Sequence, residues 1–178
     1  MTYKDELKRA MEFMALDAKT VFIGYNVGCG GKANGTLVDV PPAQLIETPV
    51  AENLMVGMAI GMALDGWKPV VYIERCDFIL NALDAIVNHL DKTKLLSGGE
   101  FDPHIIIRVV VGGKRKPLFT GPTHTQDFCD ALRDLVTFPV IRLGHVSSVF
   151  GSYQRNFQYL EAHSTILIEY RDLYDQQV

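Results

Sequence analysis

The sequence has few cysteines, and they are not arranged in pairs. Its 178 residues include three, Cys29, Cys76 and Cys129, and none of them belongs to a C-x-x-C pair. An odd and scattered set of cysteines argues against a disulfide framework and against a structural zinc site. This content fits a reducing compartment, so we expect a cytoplasmic protein.

The sequence also lacks an excess of positive charge and a long apolar run. It has 17 Lys and Arg against 21 Asp and Glu, a formal net charge of −4. Without a general basic field, nucleic acid is not an expected partner. No apolar run reaches the roughly 20 residues needed to cross a membrane. The charged N-terminus has no apolar core of a secretion signal. We therefore expect no membrane association.

What the sequence does contain is a regular alternation of strands and helices. The strands are continuous β-branched runs, which are typical of a parallel sheet covered on both faces. We predict one α/β domain over residues 1–178, with three layers and a mainly parallel sheet covered by helices on both faces. The predicted strands are 20–27, 68–74, 104–111, 138–143 and 165–170, and the predicted helices are 3–16, 51–65, 78–96, 126–135 and 147–163.

The predicted helix 51–65 is apolar almost all round, which indicates burial on several sides. Gly57 and Gly61 lie in its interior, where each glycine costs about 1 kcal/mol. We therefore expect another backbone to pack closely against them. Glu52, in the first turn of this helix, is the charged exception among its apolar residues. Its carboxylate could simply be stabilised by the helix dipole, or, if it is shielded from water, it could serve in acid–base chemistry.

Three loops fall at the carboxyl ends of predicted strands, where ligands bind in such folds: residues 28–48, 74–78 and 112–124. The first imitates a dinucleotide fingerprint in its glycines, but no helical pattern follows, so we do not expect a nucleotide there. The third carries the basic triplet Lys114, Arg115 and Lys116, and then His124 after a Gly-Pro turn. Each of these is either solvated or directed at a substrate.

The stretch ETPVAENLMVGMAIGMALDGWKPV contains a T-P-x-x-E turn, then a helix with G-x-A-x-G, then G-x-x-P before a strand. This order resembles the pyrimidine-binding domain of thiamine-diphosphate enzymes. It is most similar to the beta subunit of the first component of 2-oxo acid dehydrogenases, pyruvate dehydrogenase included. The residues of the pattern are Thr48, Pro49, Glu52, Gly57, Ala59, Gly61, Gly66 and Pro69.

The resemblance continues from about Val21 to Leu143. Phe78 falls where the family has an aromatic that stacks on the aminopyrimidine ring, and Arg108 lies in a strand that resembles the family's arginine-bearing strand. GPTHTQ lies where the dehydrogenases carry a histidine, and it also resembles the Gly-Pro-Thr-His of transketolases.

The resemblance implies thiamine diphosphate as the cofactor. Glu52 would bind a ring nitrogen of the aminopyrimidine and favour the tautomer that takes the proton from the thiazolium carbon. His124 would act on the substrate. The implied cofactor-binding residues are Thr48, Pro49, Glu52 and Phe78, and the implied substrate-binding residues are His124, Arg108, Lys114 and Arg115.

The sequence has no Gly-Asp-Gly followed at a distance by Asn, the family's motif for magnesium and the diphosphate, and it ends at Val178 without the family's C-terminal domain. The resemblance therefore implies a separate diphosphate-binding subunit that carries this motif and ligates the magnesium. It also implies a two-plus-two heterotetramer.

The reaction implied is the breaking or forming of a C–C bond next to a carbonyl of a small-molecule substrate. We favour 2-oxo acid decarboxylation with acyl transfer. Two alternatives stay open. One is transketolase-type ketol transfer between sugar phosphates, and the other is a non-catalytic relative that only scaffolds its partner.

Overall fold

Parallel strands form the centre of the computed structural model, which describes residues 1–115 and 119–177. Within these residues the strands are Thr20–Gly24 (β1), Leu45–Glu47 (β2), Lys68–Ile73 (β3), Ile106–Val111 (β4), Val140–Arg142 (β5) and Thr165–Tyr170 (β6). They form a six-stranded sheet with the order β2-β1-β3-β4-β6-β5, and every neighbouring pair is parallel. The predicted α/β fold with a mainly parallel sheet is thus confirmed. Lys116, the last residue of the predicted basic triplet, lies outside the described residues.

Helices cover both faces of this sheet. On one face Phe22 of β1 packs in a cluster with the helices Tyr3–Ala15 and Val146–Gln158, and on the other face Val21 and Ile23 pack in a cluster with the helices Glu52–Leu64 and Cys129–Leu135. Successive strand residues point to opposite faces, so both sides of each central strand are buried. None of the described helices is long and apolar enough to span a membrane. The helices are Tyr3–Ala15 (α1), Lys32–Gly35 (α2, a single turn), Glu52–Leu64 (α3), Thr93–Leu96 (α4), Cys129–Leu135 (α5) and Val146–Gln158 (α6).

The predicted helix 78–96 is interrupted in the structure. A 3₁₀-helical segment, Cys76–Ala82, is followed by a π-helical segment, Asp84–Leu90, and then by α4. The backbone N–H of Ala85 donates to Oδ1 of Asn53 on α3 at 3.2 Å. This bond uses a backbone donor that a continuous α-helix would need, so the side chain from α3 accounts for part of the irregularity.

Helix α3 is less buried than the sequence predicts. Met55, Val56 and Ala59 face the core, but Gly57 and Gly61 lie on an exposed side. Among residues 1–115 and 119–177, no heavy atom outside the glycine's own stretch of helix lies within 4 Å of a Cβ built on either glycine. The prediction of burial on several sides, with a second backbone against these glycines, is therefore wrong within this chain.

A charged pair lies in the core between two central strands. Arg108 on β4 and Glu169 on β6 are both 0% exposed, and their atoms meet at 2.9 Å (Nε–Oε1) and 3.1 Å (Nη2–Oε2). The hydroxyls of Tyr153 and Tyr174 also donate to the carboxylate. Burial opposes the charge of Arg108, but the carboxylate outweighs this effect and raises the pKa of the guanidinium. No substrate can reach Arg108 here, which corrects its predicted substrate-binding role.

Replacing Glu169 with Gln should destabilise the fold severely. The neutral amide would leave the buried guanidinium without a counter-ion, for which we expect a loss of about 3–5 kcal/mol in the free energy of unfolding. Urea denaturation followed by circular dichroism measures this loss. Asp130→Asn is the matched control, because the Asp130 side chain is 75% exposed and its pair with Arg142 is open to solvent. Little change is expected there, and equal losses in the two variants would contradict the assignment.

Candidate functional site

The candidate site lies at the carboxyl edge of the sheet. Gly24 pairs with Tyr72, and Ile73 pairs with Val109, so the chain leaves β1, β3 and β4 on the same side. A cavity of about 200 Å³ opens there. Its walls are formed by Tyr25, Val50, Glu52, Met55, Tyr72, Ile73, Glu74 and Phe78.

Glu52 provides a buried carboxylate in this cavity. It is the first residue of α3 and is 5% exposed, while Met55 beside it in the wall is apolar and buried. Asn81 Nδ2 donates to its Oε2 at 3.3 Å. The helix start favours a negative charge at this position. The carboxylate is therefore shielded from bulk water but lines a space that a ligand can enter.

Phe78 and His124 face each other at the same edge. Their rings form an edge-to-face pair with centroids 5.2 Å apart and planes at 79°. Nδ1 of His124 lies 2.9 Å from Thr123 Oγ1. Phe78 thus links two other predicted residues: it lines the cavity with Glu52, and its ring contacts His124, although the three residues follow different strands.

The backbone of His124 passes very close to the end of β4. A Cβ built on Gly112 would lie 2.0 Å from the carbonyl oxygen of His124. Only glycine leaves room for this approach. The glycine at position 112 therefore allows the His124 segment to cross directly against the end of β4 at the sheet edge.

The glycine-rich loop after β1 is held by a carboxylate rather than by a nucleotide. Glu47 accepts hydrogen bonds from the four consecutive backbone N–H groups of residues 26–29, at 2.6–3.3 Å. Desolvation would raise the pKa of Glu47, but these bonds outweigh it and lower the pKa. Such a row of N–H groups is an anion-binding arrangement, and here Glu47 occupies it. This also ends β1 at Gly24, three residues earlier than predicted.

Thr48 and Pro49 follow Glu47 directly. Thr48 is 7% exposed, and its Oγ1 is buried with no hydrogen-bond partner among the described residues. A buried polar atom without a partner is costly in a folded protein. Glu52 and the Phe78 ring give the cavity a lining that fits a flat aromatic ring with polar edges, as in an aminopyrimidine. Neither Thr48 nor Pro49 is among the described residues of the cavity wall.

The predicted basic residues do not reach the cavity wall. Lys114 and Arg115 are exposed, and the Lys114 backbone N–H donates to Asp172 Oδ2 at 3.0 Å. Within residues 1–115 and 119–177, no cluster of three or more His, Cys, Asp or Glu side chains could hold a metal ion.

Sequence reasoning missed several residues of the site. Tyr25, Tyr72 and Glu74 line the cavity, and Asn81 contacts Glu52. For Glu47 the sequence did contain a signal. A glycine-rich run of backbone N–H donors needs an acceptor, and Glu47 is a carboxylate at the end of the same loop, directly before Thr48. For the other four residues, the sequence predicts the strand or helix that contains them, but not the direction in which their side chains point.

Comparison with known proteins places the chain in a family. The model of the transketolase pyrimidine-binding domain matches residues 1–177. The chain therefore belongs to this family, and it is a pyrimidine-binding domain of the thiamine-diphosphate-dependent type.

Two relatives are beta subunits of 2-oxo acid dehydrogenases. The pyruvate dehydrogenase E1 component subunit beta of Rickettsia conorii is 34% identical over 133 residues, which covers 72% of this chain and 40% of that protein. The 2-oxoisovalerate dehydrogenase subunit beta of Bacillus subtilis is 30% identical over 118 residues, which covers 64% of this chain and 36% of that protein. The chain thus spans less than half the length of these relatives.

A solved structure supports the fold. The split-gene transketolase, in an inactive beta4 tetramer, superposes with a TM-score of 0.73 at 14% identity, covering 96% of this chain and 52% of that one.

Proposed function

We propose that this chain is the pyrimidine-binding subunit of a two-chain thiamine-diphosphate enzyme that breaks or forms a C–C bond next to a carbonyl. The observation that carries the proposal is that Glu52 and Phe78 line one cavity and that the His124 ring packs against Phe78. The dehydrogenase beta subunits among its relatives support 2-oxo acid decarboxylation with acyl transfer as the reaction.

The residues of the cavity suit the cofactor's aminopyrimidine. Glu52 would hold a proton at a ring nitrogen, and Phe78 would pack on the ring. When bound, thiamine diphosphate supplies the acidic carbon that adds to the substrate carbonyl. The contribution of this chain is placement and a dry carboxylate, which keeps its interaction with the ring strong.

His124 would act on the substrate. A Thr123 hydroxyl that donates to Nδ1 would place the ring proton on Nε2. Nε2–H could then donate to a substrate oxygen that gains negative charge during the reaction. Lys114 and Arg115, which are exposed on the same loop, would attract an acidic substrate, a role that Arg108 cannot share.

A partner subunit would complete the site. It would carry the Gly-Asp-Gly motif and hold the diphosphate and magnesium, in a two-plus-two assembly. The exposed side of α3 is the surface we assign to it. Leu54 and Leu64 are 53% and 48% exposed, and Gly57 and Gly61 lie between them with open space above. A flat apolar helix face of this kind allows another backbone to approach closely.

Transketolase-type ketol transfer is the second candidate. The Gly-Pro-Thr-His sequence before Thr125 and the exposed basic residues of that loop favour it. The two reactions are separated by their substrates, since one enzyme would consume a 2-oxo acid and the other a ketose phosphate. A scaffold without activity is the third possibility, and the buried Glu52 argues against it because an unused carboxylate in a dry cavity has a desolvation cost.

Glu52→Gln should abolish turnover without preventing assembly. The amide keeps the shape of the side chain but cannot share a proton with the pyrimidine nitrogen. We expect a loss of at least about a hundredfold in kcat for the complex reconstituted with a Gly-Asp-Gly partner chain. Glu161→Gln is the control, because the side chain of Glu161 is exposed. Near-normal activity in the Glu52 variant would contradict the proposed role at the cofactor ring and would leave Glu52 only as a carboxylate favoured at the start of α3.

His124→Ala should separate cofactor activation from substrate chemistry. Turnover should fall by about two to three powers of ten, as for the loss of one donor to a developing charge. Proton exchange at the thiazolium carbon, followed by NMR, should stay close to wild type. His89→Ala, at a side chain 63% exposed, is the control. A collapse of exchange together with turnover would instead place His124 in cofactor activation.

Gly57→Ala and Gly61→Ala should have opposite effects on the isolated chain and on the complex. A Cβ at either position meets open space, so each change should stabilise the free chain by up to about 1 kcal/mol through helix propensity. The same methyl groups should weaken assembly, because they keep the partner's backbone away. Denaturation and analytical ultracentrifugation measure the two effects.

Gly151→Ala is the matched control for these glycines. It lies on the exposed side of α6, and in the described part of the chain no atom outside its own stretch of helix lies within 4 Å of the added Cβ. It should stabilise the chain and leave assembly unchanged. Undisturbed assembly in the Gly57 and Gly61 variants would contradict the proposed docking face.

A further inference from the structure

Asp77 connects the segment that carries Phe78 to the segment that carries His124. It is 8% exposed, and both of its oxygens bind one residue. Oδ1 accepts from Gln126 Nε2 at 2.8 Å, and Oδ2 accepts from the backbone N–H of Gln126 at 3.3 Å. A buried carboxylate with both oxygens on a single partner holds that partner in distance and in orientation.

The position of this contact in the chain gives it a consequence for the site. Asp77 directly precedes Phe78, and Gln126 is two residues after His124. The aromatic rings of Phe78 and His124 meet at 5.2 Å between the same two segments. The hydrogen bonds therefore set how closely these two backbones approach beside the ring contact.

Other contacts hold the His124 segment to different parts of the fold. The His124 backbone lies close against Gly112 at the end of β4. Farther along, Asp127 accepts from the Tyr170 hydroxyl at 2.8 Å and lies 3.6 Å from Arg142 Nε. These contacts tie the segment to the sheet. The Asp77 contact ties it to the 3₁₀-helical segment that forms a wall of the cavity.

We propose that Asp77 is a positioning residue, which holds His124 against Phe78 by binding Gln126. It sets the distance between the side chain that would act on the substrate and the wall that would hold the cofactor ring. Its effect on catalysis rests on the proposed function. Its effect on the placement of His124 does not, because that placement exists in the chain alone.

Three variants test the proposal. In Gln126→Glu, two carboxylates face each other and the segments should separate. In Asp77→Asn, one acceptor becomes an amide group that faces a donor, so the contact should weaken. In the double variant Asp77→Asn/Gln126→Glu, the Asn oxygen can accept the backbone N–H and its amide can donate to the new carboxylate. The double variant should therefore restore the contact.

The first readout is NMR on the isolated full-length chain. Cross-relaxation between the imidazole protons of His124 and the ring protons of Phe78 should be lost in Gln126→Glu, weakened in Asp77→Asn and recovered in the double variant. His124→Gln assigns the imidazole signals among the five histidines. Asp84→Asn is the matched control, since Asp84 also accepts from an amide side chain, that of Asn88 at 2.8 Å, and it should leave the His124 signals unchanged.

The second readout is kcat of the reconstituted complex. Gln126→Glu should reduce it by about ten- to a hundredfold, the effect of a displaced catalytic group, and the double variant should recover it. Unchanged His124–Phe78 cross-peaks in Gln126→Glu, or a double variant as impaired as Gln126→Glu, would overturn the proposal. If Gln126→Glu fails to fold, the double variant is compared with Asp77→Asn instead. Stronger His124–Phe78 cross-peaks in the double variant support the proposal, and cross-peaks that are no stronger overturn it. Cross-peaks that follow the pattern while kcat does not would support the positioning role and count against the proposed function alone.

Discussion

The common direction of β2, β3 and β4 is the constraint on which the candidate site depends. Because neighbouring strands are parallel and in register, the chain leaves β1, β2, β3 and β4 at one edge of the sheet. Glu52, Phe78 and His124 follow β2, β3 and β4, and they come close because these strand ends coincide. The narrow gap over Gly112 then limits where His124 can lie. The site is therefore a consequence of topology, and the side chains refine a position that the backbone already provides.

The buried pair of Arg108 and Glu169 serves the same sheet from within. It joins β4 to β6, and the Tyr153 hydroxyl extends the network to α6. A buried ion pair is weak evidence for stability, because both charges lose their hydration. Here each partner nevertheless has further hydrogen bonds: Tyr153 and Tyr174 donate to Glu169, and Arg108 donates to the sulfur of Met11. The buried polar atoms of the pair are therefore satisfied across β4 and β6. A sequence motif could place Arg108 on a strand but could not show its counter-ion, which lies 61 residues further along.

Most of the fold could be predicted from the sequence, because continuous β-branched strands and apolar helices are local signals. The last strand, Thr165–Tyr170, has the predicted bounds. Three errors in the predicted element bounds share a cause: a side chain from elsewhere takes a backbone donor. Glu47 ends β1 early, Asn53 interrupts the helix after Phe78, and Asp77 binds the backbone of Gln126, where the helix was predicted to begin. No window of sequence contains both partners of such a bond, so their effects appear only in three dimensions.

Helix α3 unites the two halves of the proposed function. Its first residue, Glu52, lines the cavity, and Gly57 and Gly61 lie on the opposite, exposed side about one and a half and two and a half turns later. Glycine lowers the stability of a helix interior, and among the described residues outside this helix no atom lies where a Cβ on these glycines would meet it. A partner that packs against them would press on the same rigid element that carries the carboxylate. Because a helix transmits such a contact along its axis, assembly and the placement of Glu52 would be coupled. The chain alone would then hold a cavity whose final geometry is set only in the complex.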